Sequence, residues 1–192
     1  LSGGIDSNLI RYNIPRVDYF GGGFKDDFDY KYLKKKNIKV NFTKVTKANF
    51  LKRLRKLIYL RGEPLSVPNE VVLSLIAKNA KRKKIKVLMS GDGADEFFGG
   101  YDRVFDWSLK NRFTVEKFCD FYCYNKINKD SLEFLNLKKF FNKLKKLSCF
   151  EKVKFFFIKF HLPILLRRLD FSLMSEGIEG REPFLSKEVF IE

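Results

Sequence analysis

Apolar positions along the chain fall into two regimes. In the first half, short apolar or β-branched runs alternate with segments whose apolar residues recur every three or four positions. "RVDYFGGGF" (16–24) predicts a strand that ends in glycines. "DFDYKYLKKK" (27–36) predicts a short helix whose basic last turn suits the helix dipole. "IKVNFTKV" (38–45) alternates like a strand, and "KANFLKRLRKLIYL" (47–60) has helical spacing. "NEVVLSLIAKNAKRKK" (69–84) predicts another helix, and "IKVLMS" (85–90) a buried strand. Strands that alternate with helices imply a parallel sheet with helices on its faces.

The second regime runs from about residue 104 to 170 and carries almost no strand signal. "SLEFLNLKKFFNKLKKL" (131–147) and "FEKVKFFFIKF" (150–160) predict packed helices whose Phe stripes belong to a core. Pro163 predicts a helix start in "HLPILLRRLDF", and 170–190 reads as a loop around Pro183. The expected fold is α/β over 1–103, followed by a mainly helical part over 104–192.

Composition changes this picture little. A chain of 192 residues, 45% hydrophobic and 16% aromatic, can bury one sizeable core. The net charge of +16 raises the question of a polyanionic partner. The basic residues are 28 Lys against 11 Arg, whereas forked phosphate and base contacts favour Arg. A general drift toward Lys, Phe, Asn and Ile accounts for the charge without nucleic acid, and a functional basic surface is the other reading. Three cysteines (Cys119, Cys123 and Cys149) form neither a C-x-x-C pair nor an even set. A reducing cytoplasm is the default compartment. His161 has no ligand partners nearby in sequence, and no apolar run reaches membrane length.

Two stretches carry chemistry. "LSGGIDSN" (1–8) places Leu1 at the end of a strand, turns sharply through Ser2, Gly3 and Gly4, and starts a helix. Glycines let the backbone approach a ligand, and free N–H groups at a helix start favour phosphate. Ser2 and Ser7 add hydroxyl donors. Asp6 would repel phosphate unless Mg²⁺ lay between them. A plain glycine turn with an acidic helix start is the alternative. "VLMSGDGADEFFGGYDR" (87–103) repeats the plan: a strand, Ser-Gly-x-Gly, then Asp92, Asp95 and Glu96. Both turns would leave the carboxyl ends of parallel strands, where open α/β sheets bind ligands. Acids from two strands can share one Mg²⁺.

At these residues the sequence resembles known families. "SGGIDS" resembles the PP-loop of the N-type ATP pyrophosphatases, of adenine nucleotide alpha-hydrolase-like fold. "MSGDGADEFFGGYDR" is similar to the signature of the synthetase domain of the asparagine synthetase family. "EPLSVP" (63–68) and "DFSLMSEGIEGREPFL" (170–185) resemble two further stretches of that family, in the same order. The resemblance implies an ATP-dependent ligase. The side-chain carboxylate of aspartate, or a related carboxylate, is adenylated with release of pyrophosphate. Ammonia from glutamine, delivered by a glutaminase domain or subunit, then gives asparagine. Carried over by position, Leu1 would contact the nucleotide through its backbone, and Ser2, Gly3, Gly4 and Ser7 would cradle pyrophosphate. Gly22 would face the adenine, and Ser90 and Gly91 would meet the AMP portion. Asp6 and Asp95 would hold Mg²⁺. Asp92 stands where many members have Glu and would act in intermediate formation.

The departures set further expectations. The strand that delivers the loop is missing, and the pattern breaks off soon after "REPFL", with Ser186 in place of the usual Asp. Asn13, Ile14 and Pro15 leave little room for the usual first helix. The resemblance therefore implies an internal piece of a longer protein or a truncated copy, weak or inactive by itself. Two other functions stay open: a PP-loop enzyme that modifies tRNA, favoured by the charge, and a non-catalytic nucleotide-binding fragment.

Overall fold

The computed structural model describes residues 1–190; Ile191 and Glu192, the last positions of the predicted second part, lie outside the described residues. The chain divides into two compact units. One comprises Leu1–Asp92 together with the chain from Leu165 onward, and the other is Gly93–Ile164.

In the first unit, α1 (Ile5–Asn13) follows the glycine turn directly. Its nine residues end one position before Ile14, so a helix does fit ahead of Pro15 despite the short sequence. Arg16 takes a left-handed φ of 68°, which interrupts extension. The strand expected from residue 16 therefore begins only at β1 (Phe20–Gly23). Then come α2 (Phe28–Lys35), β2 (Asn41–Lys44), α3 (Lys47–Arg61), α4 (Asn69–Arg82) and β3 (Val87–Met89). The start of α3 is fixed by a reciprocal cap: Thr46 Oγ1 accepts from the Asn49 amide, while Asn49 Oδ1 accepts from the Thr46 amide. Its end is fixed by Gly62 in the left-handed region.

Among the described residues the strands form two parallel pairs rather than one continuous sheet. β1 pairs with β2, Phe20 opposite Asn41, and β3 pairs with β4 (Glu179–Arg181), Met89 opposite Arg181. β4 corrects the reading of 170–190 as a loop. Its three residues, Glu-Gly-Arg, lack β-branched or aromatic side chains, so nothing in composition marks a strand. The pairing is set instead by Ile178, buried immediately before it, and by the Glu179 amide, which donates to the Lys86 carbonyl at 2.8 Å. β3 was expected to be buried, yet Val87 is 42% and Met89 53% exposed.

Two apolar clusters hold this unit. Phe20, Ala77 and Ala80 pack with Leu169 and Leu173 of α10 (Leu162–Met174) and with Ile178. Val45, Leu57, Val71 and Leu75 form the other. At their edge Arg53, 5% exposed, donates to Ser74 Oγ at 2.8 Å and pairs with Glu176 at 2.6 Å.

The second unit is helical. It contains α5 (Ala94–Phe98), α6 (Asp102–Lys110), α7 (Val115–Tyr122), α8 (Leu132–Lys143) and α9 (Cys149–Phe156). Its core is aromatic: Phe105, Trp107, Phe118, Phe134, Phe141, Phe156 and Phe157 are buried together. Of the Phe stripes of the sequence, Phe134, Phe141, Phe156 and Phe157 are core residues here, whereas Phe155 and Phe160 are exposed. Pro163 is the second residue of α10, but the chain is already helical ahead of it. Phe157–His161 forms a π-turn in which the Leu162 amide donates to the Phe157 carbonyl. The wider turn precedes a residue that has no N–H to give. His161 Nδ1 lies 2.9 Å from the Tyr122 hydroxyl. The three cysteines are free thiols, and burial, with Cys123 next, pushes Cys119 up to about 12. Among the described residues no helix is long and apolar enough to cross a membrane.

Candidate functional site

The glycine turn before α1 is built by its own serines. The Ser2 amide donates to Ser7 Oγ at 3.1 Å, the two hydroxyls lie 2.9 Å apart, and the Gly4 amide donates to Ser2 Oγ at 3.1 Å. Asn8 Nδ2 closes the loop by donating to the Ser2 and Gly4 carbonyls at 3.1 and 2.8 Å. The Gly3 amide donates to Asp29 Oδ1 at 2.8 Å, and a Cβ on Gly3 would stand 2.6 Å from the Phe28 ring. Asn8 and Asp29 are residues the sequence reading missed. Asn8 adjoins the motif; Asp29 arrives from α2, and no local pattern marks it.

No side chain caps α1 at Gly4. The amides of its first turn, at Ile5, Asp6 and Ser7, are the ones the helix cannot satisfy itself. Uncapped donors at a helix start favour an anion. Leu1 lies beside β1, where its nitrogen donates to the Phe20 carbonyl. Gly22 sits on β1 against α4, where a Cβ would stand 2.7 Å from Ile76 Cγ1.

The second turn meets the first. A Cβ on Gly91 would lie 2.9 Å from Asp6 Cβ and 3.4 Å from the Ser7 amide nitrogen. Only a residue without a side chain lets the Ser90–Asp92 turn approach α1 this closely. Burial raises the Asp6 carboxyl above the usual carboxylate range. Ser90 is anchored by its amide, which donates to the Arg181 carbonyl at 2.9 Å, directly after the β3–β4 pairing. Its hydroxyl donates to Asp92 Oδ2, and the Asp92 amide donates back to Ser90 Oγ at 3.1 Å.

Arg168, which sequence reasoning overlooked, and Glu182 complete this corner. Arg168 of α10 donates through Nη2 to Asp92 Oδ1 at 3.1 Å. Its Nε is buried with no hydrogen-bond partner among the described residues. A buried guanidinium N–H without an acceptor is costly. Glu182 is held above the usual carboxylate range by burial first and by the charge of Asp92 next. Arg168 lies in the apolar run "LPILLRRLDF", where it reads as one more surface cation. Its depth becomes legible only once Leu169 and Leu173 dock α10 on β1 and α4.

Asp95 belongs to the second unit. It lies in the first turn of α5, and its carbonyl accepts from the Gly99 and Gly100 amides at 2.9 and 3.0 Å. A Cβ on Gly100 would collide with Asp95 Oδ1, so Gly100 keeps room for this carboxylate. Its neighbour Glu96 is buried and accepts a hydrogen bond from the Tyr101 hydroxyl. Among the described residues no group of three or more His, Cys, Asp or Glu side chains is arranged to hold a metal.

The family described as "Asparagine synthase" matches residues 1–191. The chain belongs to the asparagine synthase family. Members resembling it include a Mycobacterium tuberculosis protein named as a glutamine-hydrolysing asparagine synthetase, 38% identical over 112 residues, which make up 53% of this chain and 17% of the relative. A glutamine-hydrolysing asparagine synthetase 1 of Bacillus subtilis is 35% identical over 112 residues, 53% of this chain and 18% of the relative. The matched stretch thus spans less than a fifth of the length of these curated relatives.

Proposed function

We propose that this chain forms the nucleotide-handling part of an ATP-dependent synthetase that makes asparagine. The aspartate side-chain carboxylate attacks the α-phosphorus of ATP. The bond to the bridging oxygen breaks, and pyrophosphate leaves. Ammonia derived from glutamine, supplied by a glutaminase domain or subunit, then attacks the acyl carbon of β-aspartyl-AMP. It loses its proton as AMP departs, and the amide remains.

The single observation that carries the reading is the close approach of Gly91 to Asp6 at a helix start no side chain caps. The uncapped amides of Ile5, Asp6 and Ser7, with the Ser2 and Ser7 hydroxyls, form a donor set fitted to pyrophosphate. Ser90 and Gly91 approach from the other side, in the place the AMP phosphate would take. Asp6 and Asp95 are the residues that would hold Mg²⁺. When bound, the ion would neutralise charge between two reacting anions and favour the ionised form of Asp6. Arg168 holds the Asp92 carboxylate in one orientation beside Ser90 and keeps a free Nε–H for an anionic substrate group.

The test is aspartate-dependent ATP–pyrophosphate exchange. The reading expects exchange that needs both aspartate and Mg²⁺ in the longer protein, and only weak exchange in the 192-residue chain alone. Absence of both exchange and ATP binding in either form would overturn it.

A further inference from the structure

Away from the two turns, the first unit has a cavity of about 340 Å³ between the end of β2, the start of α3 and the exposed side of α4. Three cations line it: Lys44, Lys78 and Arg82. Among the described residues none of the three has a carboxylate within ion-pair distance. The elements that build the cavity explain why. β2 and α3 contain no acidic residue, and the only one in α4 is Glu70. Glu70 is fully buried and committed to Arg61 at 2.6 Å. Nothing in the walls offsets the positive field, and a concave surface with low-dielectric walls focuses it.

The lining is also shaped. Asn79 donates to Thr43 Oγ1 at 3.1 Å, which ties α4 to β2 across the cavity. Phe42 and the buried Leu75 provide an apolar floor. Small-molecule sites start at roughly 300 Å³ and combine apolar lining with a few polar groups. This cavity fits one small molecule and not a length of nucleic acid. Three unmatched cations suit a dianion better than a single carboxylate. A phosphate monoester carries close to two negative charges at neutral pH, and a guanidinium can grip it with two parallel bonds. We propose that this cavity binds a small organic phosphate monoester, the phosphate held by Lys44, Lys78 and Arg82 and the organic body lying on Phe42 and Leu75. The site is separate from the Ser2–Ser7 and Ser90–Asp92 turns and does not depend on the synthetase reading.

The test is calorimetric titration of the full chain with phenyl phosphate, inorganic phosphate and phenol. The proposal expects phenyl phosphate to bind at least about tenfold more tightly than inorganic phosphate, and phenol not to bind. The double variant K78Q/R82Q should weaken phenyl phosphate by at least about tenfold. Both side chains are exposed on α4, so far-UV circular dichroism should be unchanged. If that variant fails to fold, K44Q on β2 gives the same reading with a smaller loss. Unchanged affinity in the variants would overturn the proposal. So would equal affinity for the ester and for bare phosphate, or no binding of the ester at millimolar concentration.

Discussion

At the scale of single residues, the site rests on positions where a side chain is forbidden and on charges that need partners. Gly91 is the first kind. Alanine there would bring a methyl group to 2.9 Å from Asp6 Cβ. Relief requires the two turns to separate, at a cost of about 1–3 kcal/mol. G91A should therefore weaken ATP binding by at least about tenfold while far-UV circular dichroism is retained, and titration with ATP checks it. Arg168 is the second kind. R168A leaves Asp92 without its cation, and R168K restores a charge but not the Nε–H. Exchange activity should fall steeply in R168A and be only partly rescued in R168K; activity in R168K equal to that of the parent chain would show that the guanidinium fork is not used. The sequence made the motif residues legible because their types are unusual for their place: glycines, hydroxyls and acids crowd two turns. It hid Asp29 and Arg168, ordinary charged residues whose roles come from what tertiary packing sets beside them.

At the scale of elements, the strand and helix alternation of the first half could be read because α2, α3 and α4 are amphipathic, β2 carries a β-branched residue, and β1 lies in a run that ends in glycines. β4 could not, since its pairing with β3 is set by a buried neighbour, Ile178, and by backbone hydrogen bonds. The chain between α10 and β4 is secured by Glu176. Burial by itself would raise this carboxyl, but hydrogen bonds and charge from Arg53 and Lys56 outweigh it and hold it below the usual glutamate range. A carboxyl with a depressed folded value favours the folded state fully above its unfolded value. That contribution is lost as pH falls through the lower folded value. Unfolding free energy should thus decline on acidification below the ordinary glutamate range in the parent chain, and decline less in E176Q. The variant should also be less stable at neutral pH, by about 3 kcal/mol, because Arg53 is left buried without its carboxylate. Denaturant melts across the acid range check both.

For the molecule as a whole, the charge of +16 spreads over both units and acts on folding before it acts on any partner. Self-repulsion of that size disfavours the compact state and is screened by salt. The melting temperature should rise with added sodium chloride at neutral pH, and a flat or falling response would show that the cations are locally balanced. The sequence alone left the charge open between composition drift and a functional surface. The cavity beside Lys44, Lys78 and Arg82 gives part of it a definite place. A single continuous sheet was the natural expectation from alternating strands and helices. The described strands instead form two pairs, and alternation by itself cannot tell which strands become neighbours.

The proposed function rests on the start of α1, which no side chain caps and whose first turn carries Asp6. The most direct measurement is calorimetric ATP binding with and without Mg²⁺ in the parent chain, D6N and D95N. The account predicts Mg²⁺-dependent binding in the parent chain that both substitutions weaken by at least about tenfold. Binding that is indifferent to Mg²⁺, or as tight in either variant as in the parent chain, would contradict it.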